Sequence, residues 1–386
     1  MSAKKIKILQ TIRQGKIGGG ESHVLDLVQE LDKDRYESVV LSFTKGPMIR
    51  RMEELGIKTY VIETEKPFDK SKRKEVSDIL IAENIDIVHA HGTRANSNTY
   101  YSAKSLSIPI VYTVHGWSFH KGQNFLIKKL RVLGEQFLVG KSTITICVSN
   151  SNLQEGQGLF KIKNAVVIKN GINQQRFNPD NTYDDLRGEL NIAKDEVLVG
   201  YIVRVTMQKD PLTLIRAVSL IDQSIKIKFL FVGEGDLLEE AKRLAAELNV
   251  GSKIIFLNFR QDVPNVLNAI DIYCLPSLWE GLPIGVLEAM AMRKAIVATD
   301  IEANKEIITN KQNGMLVPVK SPGLLAGALT MLAADSELRR TLGINAAKTI
   351  ADNFNVQKMT RQVEDVYDSL VIQKNKESGS KSQESK

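Results

Sequence analysis

Cysteine is scarce in this chain. Two thiols in 386 residues, Cys147 and Cys274, cannot build a disulfide framework, and both fall in apolar, strand-like runs that suit core positions. That usage fits a reducing compartment. Long hydrophobic runs are also missing: no stretch reaches the roughly 18–20 apolar residues that span a bilayer. The opening MSAKKIKILQTIRQ is too polar for a signal peptide. A cytoplasmic location is therefore expected. Metal-ligand spacing is absent as well. The five histidines follow no zinc pattern, Asp184-Asp185 sits in a polar stretch, and Asp365 and Asp368 fall in a helical run, so no bound metal is expected. A complete G-x-G-x-x-G is lacking too: counted from Gly18, His23 takes the place of the last glycine. That argues against nicotinamide binding. With no RNA-binding signature and no regular interleaving of basic and aromatic residues, nucleic acid is not an expected partner.

What is present is an ordinary globular composition, 43% apolar and 25% charged, of a length that suits two domains. The net charge of +7 gathers in the first half, in Lys66–Lys74 (KPFDKSKRK) and around Lys121, Lys128, Lys129 and Arg131. A solvated face, or a surface for an anionic membrane or lipid-linked substrate, both account for it. Short apolar runs at 6–12, 39–43, 59–62, 85–89, 110–114, 144–148 and 166–168 alternate with helix-compatible stretches. That is the rhythm of βα units and a mainly parallel sheet. The alternation restarts at Val197–Val203 and continues through 228–232, 254–257, 271–275, 294–298 and 315–317. The expected organisation is an N-terminal domain over 1–180, a linker over 181–195 and a second α/β domain over 196–354. A helix over 355–372 returns to the first domain, and 373–386, rich in Lys, Ser and Glu, form a disordered tail.

The chemistry gathers where strands end. Leu275–Ala291, LPSLWEGLPIGVLEAMA, reads as a strand end, a tight loop with Gly281, Leu282 and Pro283, and a helix start. Glu280 lies in the loop and Glu288 in the first helical turns. Carboxylates there accept hydrogen bonds from ligand hydroxyls, and a helix N-terminus suits phosphate. Arg204 and Lys209 follow the strand at 197–203 and reach one pyrophosphate only if their loop folds back. Gly233-Glu234-Gly235-Asp236 reads either as an ordinary βα turn or as a close approach to a nucleotide. Lys16-Ile-Gly-Gly-Gly-Glu-Ser-His23, with Gly18 and Gly19, reads as an anion-cradling loop or as structural glycines. His89, His91 and His115 cluster at two strand ends, where open α/β sheets bind ligands. His115 is placed to donate to a sugar hydroxyl or a departing phosphate, or is structural. Trp117 and Phe119 read as an acceptor wall or as packing. The amphipathic run Asn124–Val139 either covers the sheet or lies in a bilayer interface.

Taken together, residues 6–370 resemble the retaining glycosyltransferase 4 family. The most specific match is Glu280-Gly281-Leu282-Pro283-Ile284-Gly285-Val286-Leu287-Glu288-Ala289-Met290-Ala291. The resemblance implies an α/β GT-B fold, two Rossmann-like domains facing each other across a cleft. It implies that Glu288 binds the ribose, Glu280 the transferred sugar, and Arg204 with Lys209 the diphosphate. Gly18-Gly19, Gly233 and Thr113-Val114-His115-Gly116 match the family's glycine loop, nucleotide segment and donor-side histidine. Two departures stand out: Val203 replaces a glycine common in the family, and Ile301-Glu302-Ala303-Asn304 replaces a glycine pair.

The implied activity is metal-independent hexosyl transfer, with retention, from a nucleotide diphosphate sugar, UDP-sugar favoured, which is substrate rather than cofactor. The acceptor is a glycan or lipid-linked hydroxyl, in the synthesis of cell-surface polysaccharide or lipopolysaccharide. The expected location is the cytoplasm, with the inner face of the cytoplasmic membrane as an extension, and monomer and homodimer both stay open. Two rivals remain: a GT-B epimerase or phosphorylase, and a non-catalytic sugar-nucleotide-binding protein.

Overall fold

In the computed structural model, residues 4–14, 19–120 and 122–383 are described, 373–383 by their backbone only. The chain divides into two compact units, one reaching Gly171 and resuming at Val356, the other Ile172–Asn355.

The first unit carries a parallel sheet of β1 (Ile6–Ile12), β2 (Tyr36–Ser42), β3 (Lys58–Val61), β4 (Ile87–His91), β5 (Ile110–Val114), β6 (Ile144–Cys147) and β7 (Ala165–Val167). Their order is β3-β2-β1-β4-β5-β6-β7. β1, β4 and β5 are buried on both faces, as strands covered by helices on both sides must be. The second sheet holds β8 (Val197–Ile202), β9 (Ile227–Val232), β10 (Ile254–Leu257), β11 (Ile272–Leu275), β12 (Ala295–Thr299) and β13 (Met315–Val317). Its order is β10-β9-β8-β11-β12-β13, again parallel. In each sheet the winding direction reverses beside the first strand, between β1 and β4 and between β8 and β11. The C-terminal ends of those pairs are where open α/β sheets bind ligands.

Three boundaries differ from expectation. The first unit ends at Gly171, not 180, and the stretch expected as a linker is folded onto the second sheet. There Arg187 pairs with Asp271 at 3.1 Å and donates to the carbonyls of Ala269 and Glu196. The last helix runs Val356–Gln383, into the segment expected to be disordered. A helix anchored by packing propagates at little cost, and this one is anchored in the first unit. Val363, Tyr367 and Leu370 join the cluster of Ile8, Leu27 and Tyr36, and the Tyr36 hydroxyl reaches Asp368 at 2.6 Å. Cys147 and Cys274 are buried and unpaired, and burial pushes the Cys147 thiol up to about 12. Both thiols are core residues.

Candidate functional site

In the second unit that position is taken by the loops after β8 and β11. The β8 loop is seated by close backbone approach: Val205 N donates to Glu234 O at 2.9 Å and Leu237 N to Val205 O at 3.2 Å. A Cβ on Gly233, whose φ is +137°, would stand 2.0 Å from Val203 O, and one on Gly235 2.0 Å from Val205 O. Both glycines are therefore required by the fit of one loop against the next. The β8 loop then makes a 3₁₀ turn, Met207–Lys209. Asp210, at φ 46°, caps the following helix by accepting from Thr213 N at 3.2 Å.

This path delivers Lys209 and Gln208 to the β11 loop. Lys209 Nζ donates to Glu280 Oε1 at 2.5 Å, and Gln208 Nε2 donates to Glu280 Oε2 at 3.3 Å and to Trp279 O at 2.8 Å. Leu278 N returns a bond to Gln208 O at 2.8 Å. The Glu280 side chain is 6% exposed and that of Lys209 20%, so the pair is largely desolvated and weakly screened. Arg204 is exposed and forms no ion pair with any described residue. The loop thus separates its two cations, one committed to Glu280 and one free. Gly281, Leu282 and Pro283 lead into the helix Ile284–Ala291, whose Glu288 is 9% exposed. Tyr273 lies alongside: its hydroxyl donates to Ile202 O at 3.3 Å, and a Cβ on Gly285 would sit 2.4 Å from it. Burial, with Glu288 and Glu280 adding to it, drives Tyr273 far above the usual tyrosine range, so it keeps its proton. Where the family has a glycine pair, Glu302–Lys305 forms a helical turn held by Asn304 Nδ2 donating to Thr299 O at 2.7 Å.

In the first unit, β4 and β5 end in His89, His91 and His115, as their positions in the sequence imply, and His23 joins them from the helix Gly19–Glu30. His91 Nδ1 lies 3.2 Å from His115 Nε2, and His91 Nε2 lies 2.9 Å from Gln10 Oε1. The His23 ring is 4% exposed, and neither of its nitrogens makes a well-formed hydrogen bond to a described residue, although Asn170 lies beside it. One nitrogen each from His23, His91 and His115 fall within 4.8 Å of one another, the spacing a soft divalent cation would use. Among the described residues no carboxylate joins them, and His91 and His115 lie within hydrogen-bonding distance of each other. Burial lowers all four imidazoles, His23 to about 4 with the neighbouring Asn170 opposing, so the cluster is neutral at pH 7. Below the ordinary value of 6.5 an unfolded His23 takes up a proton that the folded one refuses. Stability present above pH 6.5 is consequently lost as the pH falls toward 4, about 3 kcal/mol from His23 itself. Urea titrations at pH 7 and 4.5 measure this; equal stability at the two values would contradict it.

Several alternatives left open by the sequence are decided by the structure. Trp117 and Phe119 form no exposed wall: they are 8% and 2% exposed and stack at 5.4 Å in the core, with Trp117 Nε1 donating to Asn152 O at 2.7 Å. Of the apolar residues of the helix Phe125–Lys141 only Leu138 and Val139 are buried in the core, with Val132 packed against it, and those from Phe125 to Leu130 stay exposed. In the basic stretch at 66–74, Lys72 and Lys74 pair with Glu75 and Asp78 along a solvated helix. Gly18 lies outside the described residues, and Gly19 opens a helix.

Residues 182–349 match the family described as glycosyl transferases group 1, and residues 17–176 match glycosyltransferase family 4. The chain belongs to the group 1, family 4 glycosyltransferases. One relative of this glycosyltransferase is the Escherichia coli UDP-Gal:alpha-D-GlcNAc-diphosphoundecaprenol alpha-1,3-galactosyltransferase, 25% identical over 96% of this chain and 98% of that one. Another is the N,N'-diacetylbacillosaminyl-diphospho-undecaprenol alpha-1,3-N-acetylgalactosaminyltransferase of Campylobacter jejuni, 27% identical over 82% and 87%. Among solved structures, Anabaena HepE in complex with UDP and glucose superposes with a TM-score of 0.84 at 22% identity, covering 94% of this chain and all of that one. The fold is the two-domain α/β GT-B fold. Among the described residues no helix of this glycosyltransferase is long and apolar enough to cross a membrane.

Of the second-unit residues singled out from sequence, Lys209 and Glu280 touch, Arg204 stands on the same loop without joining them, and Glu288 sits under Tyr273. Gln208 and Tyr273 are not marked by the sequence. Neither carries a motif, but Gln208 precedes Lys209, and Tyr273 is a polar ring in an otherwise apolar strand. His23 and Gln10 went unnoticed as site residues because their neighbours come from other strands.

Proposed function

We propose that this glycosyltransferase moves a hexosyl unit, with retention and without a metal, from a UDP-sugar to a hydroxyl of a lipid-linked diphosphate acceptor in cell-surface polysaccharide synthesis. The observation that carries this reading is the grip of Lys209 and Gln208 on both oxygens of Glu280 at the point where the sheet reverses. It presets a carboxylate for a sugar hydroxyl beside a cation for the leaving diphosphate. Glu288 takes the ribose hydroxyls, with Gly281, Leu282 and Pro283 shaping the helix entry, and Arg204 takes the free phosphate charge. His115 takes a hydroxyl of the transferred sugar, and Gly18 and Gly19 approach the phosphates. Attack comes from the face the diphosphate leaves, so Glu280 stabilises a cationic sugar and forms no bond to it. The two relatives that act on diphosphoundecaprenol-linked sugars and the UDP complex of HepE support the substrate classes. A matrix of UDP-sugars against undecaprenyl-diphosphate-linked sugars, read by mass spectrometry and by NMR of the new anomeric centre, tests the proposal. An α-linked product formed in EDTA is expected; an inverted product, dependence on a divalent ion, or turnover of donor without transfer would overturn it.

A membrane-facing surface completes the reading. On the helix Phe125–Lys141, Phe125, Leu126, Leu130 and Leu133 are 75%, 67%, 70% and 52% exposed. Lys128, Lys129, Arg131 and Lys141 share the helix, and its one acid, Glu135, is fully buried, accepting from Tyr112 at 2.9 Å and Thr93 at 2.7 Å. An exposed face rich in apolar and cationic side chains and without an acid fits an anionic bilayer interface. Leu126→Glu with Leu130→Glu is expected to lower binding to vesicles containing anionic lipid at least tenfold. Transfer to a soluble acceptor analogue should persist. Unchanged co-sedimentation would remove the membrane from the proposal.

A further inference from the structure

A chain of buried hydrogen bonds runs from His115 to the C-terminal helix. His115 Nε2 meets His91 Nδ1 at 3.2 Å, and His91 Nε2 meets Gln10 Oε1 at 2.9 Å. Gln10 Nε2 donates to the Tyr367 hydroxyl at 3.1 Å, that hydroxyl meets His89 Nδ1 at 2.6 Å, and His89 Nε2 meets Thr113 Oγ1 at 2.7 Å. Gln10, His89 and Tyr367 are fully buried, so water is not available to substitute for the links among them, and only the His115 end of the chain is partly open.

The chemistry of the links assigns the protons. An amide oxygen only accepts, so His91 Nε2 carries a hydrogen toward Gln10. Burial keeps His91 neutral, which leaves its Nδ1 bare. The proton between the two histidines then belongs to His115 Nε2, and in a neutral His115 the Nδ1 is a lone pair. That nitrogen has no partner among the described residues.

We infer that Tyr367 and Gln10 are positioning residues that hold His115 in its Nε2–H form, so that its free nitrogen accepts a hydrogen bond from a substrate hydroxyl rather than donating one to phosphate. The amide of Gln10 is the element that could reverse the chain. Turned over, it would donate to His91 Nε2, move the His91 proton to Nδ1 and make His115 a donor. The Tyr367 hydroxyl opposes that turn, because it accepts from Gln10 Nε2 while giving its own proton to His89. A side chain on the last helix, 357 residues from Gln10, thereby sets the polarity of the histidine at the end of β5. This assignment replaces the donor role expected for His115 from sequence.

Selective ¹⁵N labelling of the five histidines in the full chain reads each tautomer directly, without substrate. His91 and His115 are both expected as Nε2–H. In Tyr367→Phe the His115 signal is expected to split between the two forms, and kcat to fall about tenfold, the size of one lost buried hydrogen bond, with KM for the donor within about twofold. A His91 Nδ1–H in the unaltered chain overturns the inference, and that spectrum needs no variant to fold. A His115 tautomer indifferent to Tyr367→Phe overturns it as well. The kinetic arm rests on the proposed donor contact at His115: a shifted tautomer with unchanged kcat upholds the positioning and refutes that contact.

Discussion

Glu280→Gln is expected to lower kcat for transfer by about 10²–10³-fold, the range for removing one preorganised charge from a site that stabilises a charged transition state. KM for the donor should change by less than about tenfold, because a neutral amide keeps the hydroxyl contact in the ground state while forfeiting charge at the cationic sugar. The substitution is chosen over alanine for a structural reason. Glu280 ties the β8 and β11 loops through Lys209 and Gln208, so Glu280→Ala would strand a lysine that is 20% exposed and cost about 1–3 kcal/mol of stability besides. Comparing the pair separates the two roles: both variants should lose transfer, and only the alanine variant should unfold markedly earlier in urea. Near-normal transfer by folded Glu280→Gln would refute a part for this carboxylate in the chemical step.

The second large effect is expected at Arg204. Lys209 already neutralises Glu280, so charge that appears on the departing diphosphate falls mainly to the guanidinium, which no described residue engages. Arg204→Ala should lower kcat/KM by about 10²–10³-fold and weaken UDP binding, with little change in melting temperature because the side chain is exposed. Arg204→Lys should recover only a small part, since an ammonium cannot offer the two parallel donors of a guanidinium. High salt should lower the unaltered protein's affinity for UDP by screening the exposed Arg204, whereas Lys209, largely buried against Glu280, is less screened. Full activity of Arg204→Ala at saturating donor would show that the diphosphate lies elsewhere.

Much of this protein was legible before its coordinates. Runs such as Ile6–Ile12, Ile110–Val114 and Ile254–Leu257 are strands with those same bounds, because short runs enriched in β-branched and apolar residues suit a buried parallel sheet and are too short for a core helix. The loops that follow them carry the glycines, cations and carboxylates, and parallel sheets put all such loops on one edge. Other readings stayed open where the surroundings, not the local pattern, decide. The apolar positions of Phe125–Lys141 have the spacing of a core helix, yet six of its large apolar residues, from Phe125 to Phe137, remain at least 40% exposed. Trp117 and Phe119, polar-flanked and near a loop, are inside because Phe160 and Ile162 from a distant turn cover them.

By itself the sequence determined which segments become strands and helices, where their catalytic-type residues sit along the chain, and to which family the chain belongs. Those properties follow from composition and short-range spacing. Only the tertiary structure decided partners: that Lys209 grips Glu280 across 71 residues, that His23 joins His91 and His115, and that Tyr367 reaches Gln10 across 357. Strand order sets those meetings. It arises from the long-range pairing of whole strands, a balance of burial and loop closure that no single residue or local motif encodes.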